Sequence, residues 1–343
     1  MSTSTLAPSQ ESAVTRAVRT VLRSRELAIV IVLALLLLLA TTRRSSFVLS
    51  ADGWRDTLLA PSILLLLAVG QMVVVVTRNV DLSVGSTLGI TAYVTGKIFV
   101  ANPDTPVIVV FLAGLAVGAV IGALNGLLVT LFKVPALVIT LGTMYVLRGA
   151  LTHEVGSDRM NAQDYPAHFE KLGTQQVLTI PVLTVIAVLV VAAVGYYLHT
   201  ARGGRELYAI GSDPDAADLY GLPAARRVFG AFVLCGALAG LAGVFSAARY
   251  ATAFSGTGSG IELQAVAAVV IGGVAIFGGS GTVWGAAIGA FLLVTINRAL
   301  PILGISEFWQ GAVVGALIIG SIVLDRVLSL RRTRQLVEAR DHA

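Results

Sequence analysis

Apolar runs of about 18 residues or more recur along this chain, and each can cross roughly 30 Å of hydrocarbon as a helix. Ten such segments are predicted, at about 27–42, 58–76, 84–101, 107–131, 135–152, 178–198, 228–248, 263–277, 283–300 and 308–328. The third and eighth are the least regular, being short and either Gly-rich or interrupted by polar residues. A closed barrel would show shorter alternating segments, and the sequence has none. With 56% hydrophobic and only 13% charged residues among 343, a soluble multi-domain chain is excluded. The chain reads as an all-α polytopic integral membrane protein of about ten transmembrane helices.

The net charge of +5 does not point to nucleic acid, because the basic residues flank apolar blocks, as the positive-inside rule requires. Basic residues precede the first span (Arg16, Arg19, Arg23, Arg25) and follow the last (Arg326, Arg331, Arg332, Arg334, Arg340). Both termini are therefore expected in the cytoplasm of a plasma (inner) membrane, which an even span count permits. The 199–227 loop, edged by Arg202, Arg205, Arg226 and Arg227, then falls inside, and the mixed to acidic 153–177 segment outside. Arg43 and Arg44 fall outside, against the trend. Residues 1–24 read as a disordered tail, 25–330 as the membrane domain and 331–343 as a basic tail. The N-terminus superficially resembles a signal peptide but lacks a small-x-small cleavage site, so a retained first span is expected. The single cysteine, Cys235, lies mid-span and reads as a small packing residue.

The longest polar stretch after the N-terminal tail is Thr200 to Arg227. Within it, Ser212 or Asp213 can cap a helix, and Pro214 suits the first helical position, where its missing N–H costs nothing. The helix would run through Asp215, Ala216, Ala217, Asp218, Leu219 and Tyr220 to Gly221, a residue suited to a left-handed C-terminal cap. Two turns are too short to be stable alone in water, so this helix needs a surface to rest on.

Three further sets of polar residues interrupt the apolar blocks. Thr77 to Ser86 carries Asn79, Asp81 and Ser83. It reads either as a broken segment lining a passage or as a turn in which Asp81 caps the third span, since an unpaired carboxylate in hydrocarbon costs at least ~2.5 kcal/mol. Glu262 and Gln264 open a helix after a Gly-rich loop, where a glutamate is also favoured by the helix dipole. Asn125 and Asn297 lie within spans and either hydrogen-bond a hydroxylated solute or tie helices together. The small-xxx-small spacing of Gly118, Gly122, Gly126 and of Gly285, Gly289 reads as close helix packing.

The segment Gly118–Ala123 with Thr130 and Pro135 has a counterpart in Gly285–Ala290 with Thr295 and Pro301. Each is preceded by an acidic-Leu-polar triplet, Asp81-Leu82-Ser83 and Glu262-Leu263-Gln264. Two readings stand: an inverted five-helix repeat around a central site, or the shared composition of Gly/Ala/Leu-rich helices. In the first, Asp81 sits toward the cytoplasm and Glu262 toward the outside. Gly278-Gly-Ser-Gly281 lacks the Lys-Ser/Thr that a nucleotide loop needs, so it reads as a tight turn. Metal-ligand spacing and a Ser/His/Asp arrangement are both missing. No cofactor is expected, and the chain does not read as an enzyme.

With these motifs assembled, the chain resembles the permease subunits of ribose-type sugar ABC importers over about residues 45–328. The resemblance rests on Asn79-VDLSVG-Ser86, Lys133-VPALVITLGTMYVLR-Gly149, Gly203-GRELYAIGSDPDAADLYG-Leu222 and Gly258-SGIELQAVAAVVIGGVAIFGGSGTVWGAAIG-Ala290. It implies a membrane-embedded dimer with a second copy or a sister permease, cytoplasmic ATPase subunits and an extracytoplasmic sugar-binding protein. It also implies that the 200–227 helix docks on an ATPase, through Asp213, Asp215, Ala216, Ala217, Leu219 and Tyr220, with Gly211 and Gly221 setting its ends. Family substrates include ribose, xylose, galactose, arabinose, rhamnose and autoinducer-2, and Thr77–Asp81 looks closest to the last two branches. Asn79, Asp81, Ser83, Asn125, Glu262, Gln264 and Asn297 are the candidate pathway residues. The competing readings are a branched-chain amino-acid ABC permease and an ion-coupled secondary transporter using Asp81 or Glu262.

Overall fold

The computed structural model describes residues 25–156, 159–317, 319–320 and 323. The expected N-terminal tail, the basic C-terminal tail, Asp158 and the end of the tenth span lie outside them. The helices are α1 (Arg25–Arg43), α2 (Ala51–Leu59), α3 (Pro61–Val75), α4 (Val84–Ala101), α5 (Val107–Phe132), α6 (Ala136–Val155), α7 (Ala167–Thr174) and α8 (Val182–Thr200). They continue as α9 (Arg202–Ser212), α10 (Pro214–Leu219), α11 (Ala224–Tyr250), α12 (Ile261–Ile271) and α13 (Val283–Ala299). The sheet among the described residues is a two-residue hairpin, Gln176–Val177 with Ile180–Pro181, leading into α8. The all-α architecture is as expected.

Seven helices among the described residues are long and apolar enough to span, counting α2 and α3 as one unit from Ala51 to Val75. Pro61 marks the joint in that unit, because it brings no backbone N–H to the helical ladder. The predicted eighth span, 263–277, is corrected. Its helix is α12, only 11 residues from Ile261 to Ile271. At 1.5 Å per residue that is about 16 Å, half a membrane. Helix α12 stops because Gly272 and Gly273 follow it, the second at φ 86°, a conformation glycine adopts without a Cβ penalty. The chain then turns back through Gly278 and Gly279, both at positive φ, into the 17-residue α13.

Helix α3 is the axis of the molecule, with every residue from Pro61 to Val75 buried. An all-round apolar helix is stable only when enclosed on every side. Helix α11 lies against it and is itself buried from Gly236 to Ala248, apart from Ala237. Helices α4 and α5 pack on α11, while α12 and α13 pack on α3. Each half of the chain thus leans on the central helix of the other half. The glycine motifs are used differently, however. A Cβ on Gly118 or Gly122 would meet the α11 carbonyls of Gly236 and Phe232, whereas Gly285 and Gly289 face Gly272 and Ala268 of α12.

Both sets of glycines therefore serve close packing, as their spacing predicted. Cys235 is buried beneath Gly70, where a Cβ would lie 3.1 Å from the cysteine Cα, in keeping with a packing role. Large apolar side chains remain exposed on α1, α5 and α6, among them Leu35, Leu38, Val120, Leu131 and Val146. Exposed apolar surface on this scale needs lipid or a partner against it.

Candidate functional site

The short polar helix is α10, and its ends are built as its sequence predicts. Asp213 is the N-cap, its Oδ1 accepting from the Ala216 N–H at 3.0 Å, and Pro214 occupies the first turn. At the other end, Gly221 has φ 69°. Its N–H donates to Asp218 O, and that of Leu222 to Ala217 O, both at 2.9 Å. This pair of bonds is a Schellman cap.

Two expectations about α10 need correction. Gly211 does not set its start, because it lies inside α9, a helix not foreseen from the sequence. A Cβ on Gly211 would lie 1.7 Å from Val76 O, so glycine there allows direct backbone contact with the end of α3. Ala217 is turned inward and is 4% exposed, so its side chain belongs to the permease and not to a docking face. Asp213 and Asp215 are exposed and Ala216 is half-buried. The outward apolar side chains are Leu219 and Tyr220, 89% and 86% exposed.

Helix α9 gives α10 the support it lacks alone. Glu206 accepts from Arg202 Nε at 2.7 Å and from Arg227 Nε at 2.5 Å, which ties α9 to the start of α11. These hydrogen bonds, that from Arg227 foremost, hold the Glu206 carboxyl below the ordinary carboxylate range. Tyr208 donates to Gly281 O at 3.1 Å. From the 77–83 turn, Arg78 reaches the far end of α9, donating from Nε to Gly211 O at 2.6 Å and from Nη2 to Ser212 O at 2.7 Å.

That turn ends in a closed polar knot inside the helix bundle. Asp81 is buried, and its Oδ1 accepts from the Ser83 N–H at 2.9 Å and the Ser83 hydroxyl at 2.7 Å. Asn125 Nδ2 of α5 donates to Ser83 Oγ at 2.8 Å and reaches Asp81 Oδ1 at 3.5 Å. With its amide oriented to satisfy both groups, Gln71 of α3 pairs with the backbone N–H and C=O of Asp81, each at 3.1 Å. Thr140 of α6 donates to Val80 O and accepts from the Leu82 N–H. Asn79 turns back on Thr77, donating to its carbonyl and hydroxyl oxygens. The carboxylate is thus paired where an unpaired one would be costly, and Asp81, Ser83 and Asn125 tie helices together.

Gln264 and Asn297 gather at the other end of the bundle. Helix α11 has 27 residues, about 40 Å of rise, and separates that end from α9 and α10. There a cavity of about 420 Å³ is lined by Gln264, Asn297, Ser246, Ser259, Arg249 and Arg298 against apolar Ile63, Leu64, Leu88 and Val294. This lies within the 300–1,000 Å³ usual for small-molecule sites. Asn297 Oδ1 and Glu262 Oε2 are buried without hydrogen-bond partners among the described residues.

Glu262 does not line the cavity itself. Its Oε1 accepts from the Gly260 N–H at 3.1 Å, and its Oε2 lies 2.2 Å from where a Cβ on Gly85 would be. Arg249 and Arg298 were missed from the sequence because each follows a long apolar run, where an arginine reads as an interface anchor. Among the described residues, no group of His, Cys, Asp and Glu is placed to hold a metal.

Residues 55–322 match the family described as "Branched-chain amino acid transport system / permease component". The chain is 35% identical to the autoinducer 2 import system permease protein LsrC of Enterobacter sp. (strain 638), over 92% of this chain and 91% of that one. It is 36% identical to the D-allose transport system permease protein AlsC of Escherichia coli (strain K12), over 78% and 81% respectively. A probable ABC transporter permease protein of Sinorhizobium fredii, y4mJ, is 34% identical over 78% of this chain and 80% of its own length. No solved structure matches. With the match covering most of its length and relatives of this kind along nearly all of it, the chain belongs to that family of transport-system permeases.

Proposed function

We propose that this chain is the transmembrane permease of an ABC importer. In this reading it moves a monosaccharide or sugar-like solute across the inner membrane, powered by separate ATPase subunits docked on α10. The observation that carries the reading is α10 itself: a capped two-turn helix, braced from behind by α9, presenting Leu219 and Tyr220 to a partner. A rigid mount with two exposed apolar anchors is how a docking contact concentrates its binding energy. The cavity around Gln264 and Asn297 supports a hydroxylated solute, since its amides, hydroxyls and guanidiniums offer both donors and acceptors.

The rest of the assembly follows from that reading. A second permease copy or a sister permease covers part of the exposed apolar surface, and lipid covers the remainder. A sugar-binding protein meets the cavity end, and both termini lie with α10 in the cytoplasm. Residues 25–330 act as one membrane unit, with the chain hydrolysing no ATP itself. An ion-coupled secondary transporter fits less well, because Asp81 Oδ1 is already held by Ser83 and Asn125 and the Asp81 backbone by Gln71. The family description names branched-chain amino acids, whereas LsrC and AlsC are named for autoinducer 2 and D-allose.

The test is uptake into vesicles carrying the permease with its ATPase and binding protein, offered labelled sugars and labelled leucine. Sugar accumulation that requires ATP and the ATPase subunit is the expected outcome. Accumulation without the ATPase, or of leucine alone, overturns the reading. Leu219→Asp combined with Tyr220→Ala should release the ATPase and lower ATP-driven uptake by at least about tenfold, the effect of losing 1.4 kcal/mol of coupling. Ala217→Arg, by contrast, should lower the melting temperature of the permease, because it forces a guanidinium into a packed site.

A further inference from the structure

Arg78 sits where three separate segments of backbone touch. It is not a glycine, yet it has φ 65°, a conformation non-glycine residues adopt only where surrounding contacts compensate. Its guanidinium takes the last two carbonyls of α9, Gly211 O at 2.6 Å and Ser212 O at 2.7 Å. The final carbonyls of a helix lack partners within it and carry its negative dipole end, and a planar guanidinium can serve two at once. Ser212 is followed directly by Asp213, the N-cap of α10. One side chain therefore holds the hinge between the two cytoplasmic helices.

The joint has no cushioning. Gly279 N donates to Val76 O at 2.9 Å. A Cβ on Gly278 would lie 2.5 Å from Arg78 Cγ, and one on Gly279 would lie 2.6 Å from Ser212 Cα. The end of α3, the end of α9 and the 278–279 turn thus meet backbone to backbone, and close-packed contacts of this kind pass on displacement with little compression. Three residues beyond Arg78 is Asp81, in the knot that joins α3, α4, α5 and α6. The path from the docking helix to the interior of the bundle is two hydrogen bonds and three peptide units.

We infer that Arg78 is a positioning residue that transmits movement of the α9–α10 hinge to the Asp81 knot, coupling events at the ATPase to rearrangement of the membrane helices. Its role in this route is exerted through the hinge, not on the solute. The inference rests on the importer reading given above and adds the route by which the motor acts. A clamp that engages one arrangement of the hinge better than another is what allows a partner to shift the membrane helices between states.

The experiment uses the complete importer, with permease, ATPase and sugar-binding protein, in lipid nanodiscs and vesicles. Arg78→Gln keeps an uncharged side chain of similar polarity. Arg78→Gly removes the side chain but accepts the positive φ freely, so it separates loss of the guanidinium from backbone strain. Both variants are expected to retain ATPase subunits at wild-type stoichiometry while solute moved per ATP falls about fivefold or more, the low end of a site-to-site coupling. Arg78→Lys, with one point charge for two carbonyls, should fall between them and wild type. Hydrogen exchange supplies a readout that a purely structural role would not move. In wild type, ATP binding should change exchange at Leu82 and Ser83, and in Arg78→Gln that response should vanish.

An unchanged ratio of solute to ATP in both variants, with the exchange response intact, overturns the inference. A lowered melting temperature with an unchanged ratio does the same, leaving Arg78 a structural residue. If the wild-type complex itself shows no ATP-driven uptake, the importer reading has failed, and the route falls with it.

Discussion

Glu206 shows how much of the α9–α10 end of this permease depends on single side chains. It is buried, and it bridges Arg202 of its own helix to Arg227 of α11. A buried carboxylate is tolerable only when its charge is answered in this way. Because the hydrogen bonds from Arg227 and Arg202 lower its folded pKa, Glu206 stabilises the fold fully above the ordinary glutamate value of about 4.3. That contribution is lost as pH falls through the lowered value. Glu206→Gln should therefore lower the thermal midpoint at pH 7, and the gap from wild type should close only as the pH falls through the lowered folded value, below which wild type is neutral too. Melting curves in detergent across that range check this, and a gap that stays constant with pH would exclude a role for the charge. None of it was legible in sequence: Arg227 is 21 positions from Glu206, and an arginine edging an apolar block reads first as a topology signal.

At the scale of helices, the crossing of α5 and α11 sets strict steric limits over several turns. A Cβ on Gly118 would lie 2.1 Å from Gly236 O, while one on Gly142 in α6 would meet nothing within 4 Å. Gly118→Ala should cost about 1–3 kcal/mol of stability, as overpacking does. Gly142→Ala should be neutral or stabilising by up to about 1 kcal/mol through helix propensity. Thermal denaturation of the two variants in one detergent decides it, and equal midpoints would mean that α5 and α11 are not in close contact. The sequence made the long spans legible because an apolar run of spanning length has few other uses. It made α10 legible because the Asp213-Pro214 start and the Gly221 stop are local chemistry. Helix α9 stayed hidden, since Gly203 and Gly204 in its first turn oppose helix formation and its support comes from the distant Arg78 and Arg227. The true length of α12 was hidden by the apolar residues that continue past Gly272 and Gly273.

Across the whole molecule, α3 connects the two ends where polar groups gather. Ile63 and Leu64 in its first turn line the cavity, Gln71 grips Asp81, and the carbonyl of Val76 just past its end accepts from Gly279. Its 15 residues span about 22 Å, and because every one is buried, the helix can shift only as neighbouring side chains repack. The polar residues singled out in the sequence thus divide by position. Asp81, Ser83 and Asn125 bind helices to one another, and Gln264 and Asn297 line the cavity. That division was not legible beforehand, because a polar residue in an apolar run has the same spelling in either role. It leads to a separable pair of outcomes. Asn297→Leu removes a cavity amide whose Oδ1 has no partner among the described residues. It should leave folding intact and raise the solute concentration for half-maximal uptake about tenfold, the weight of one hydrogen bond at ~1.4 kcal/mol. Asn125→Leu strips the Ser83 hydroxyl oxygen of its donor inside the bundle, leaving the hydroxyl only its bond to Asp81, and should cost about 1–3 kcal/mol of stability. Uptake curves and melting temperatures for both variants distinguish the roles. A melting loss in Asn297→Leu with an unaltered uptake curve would remove the cavity from the transport path.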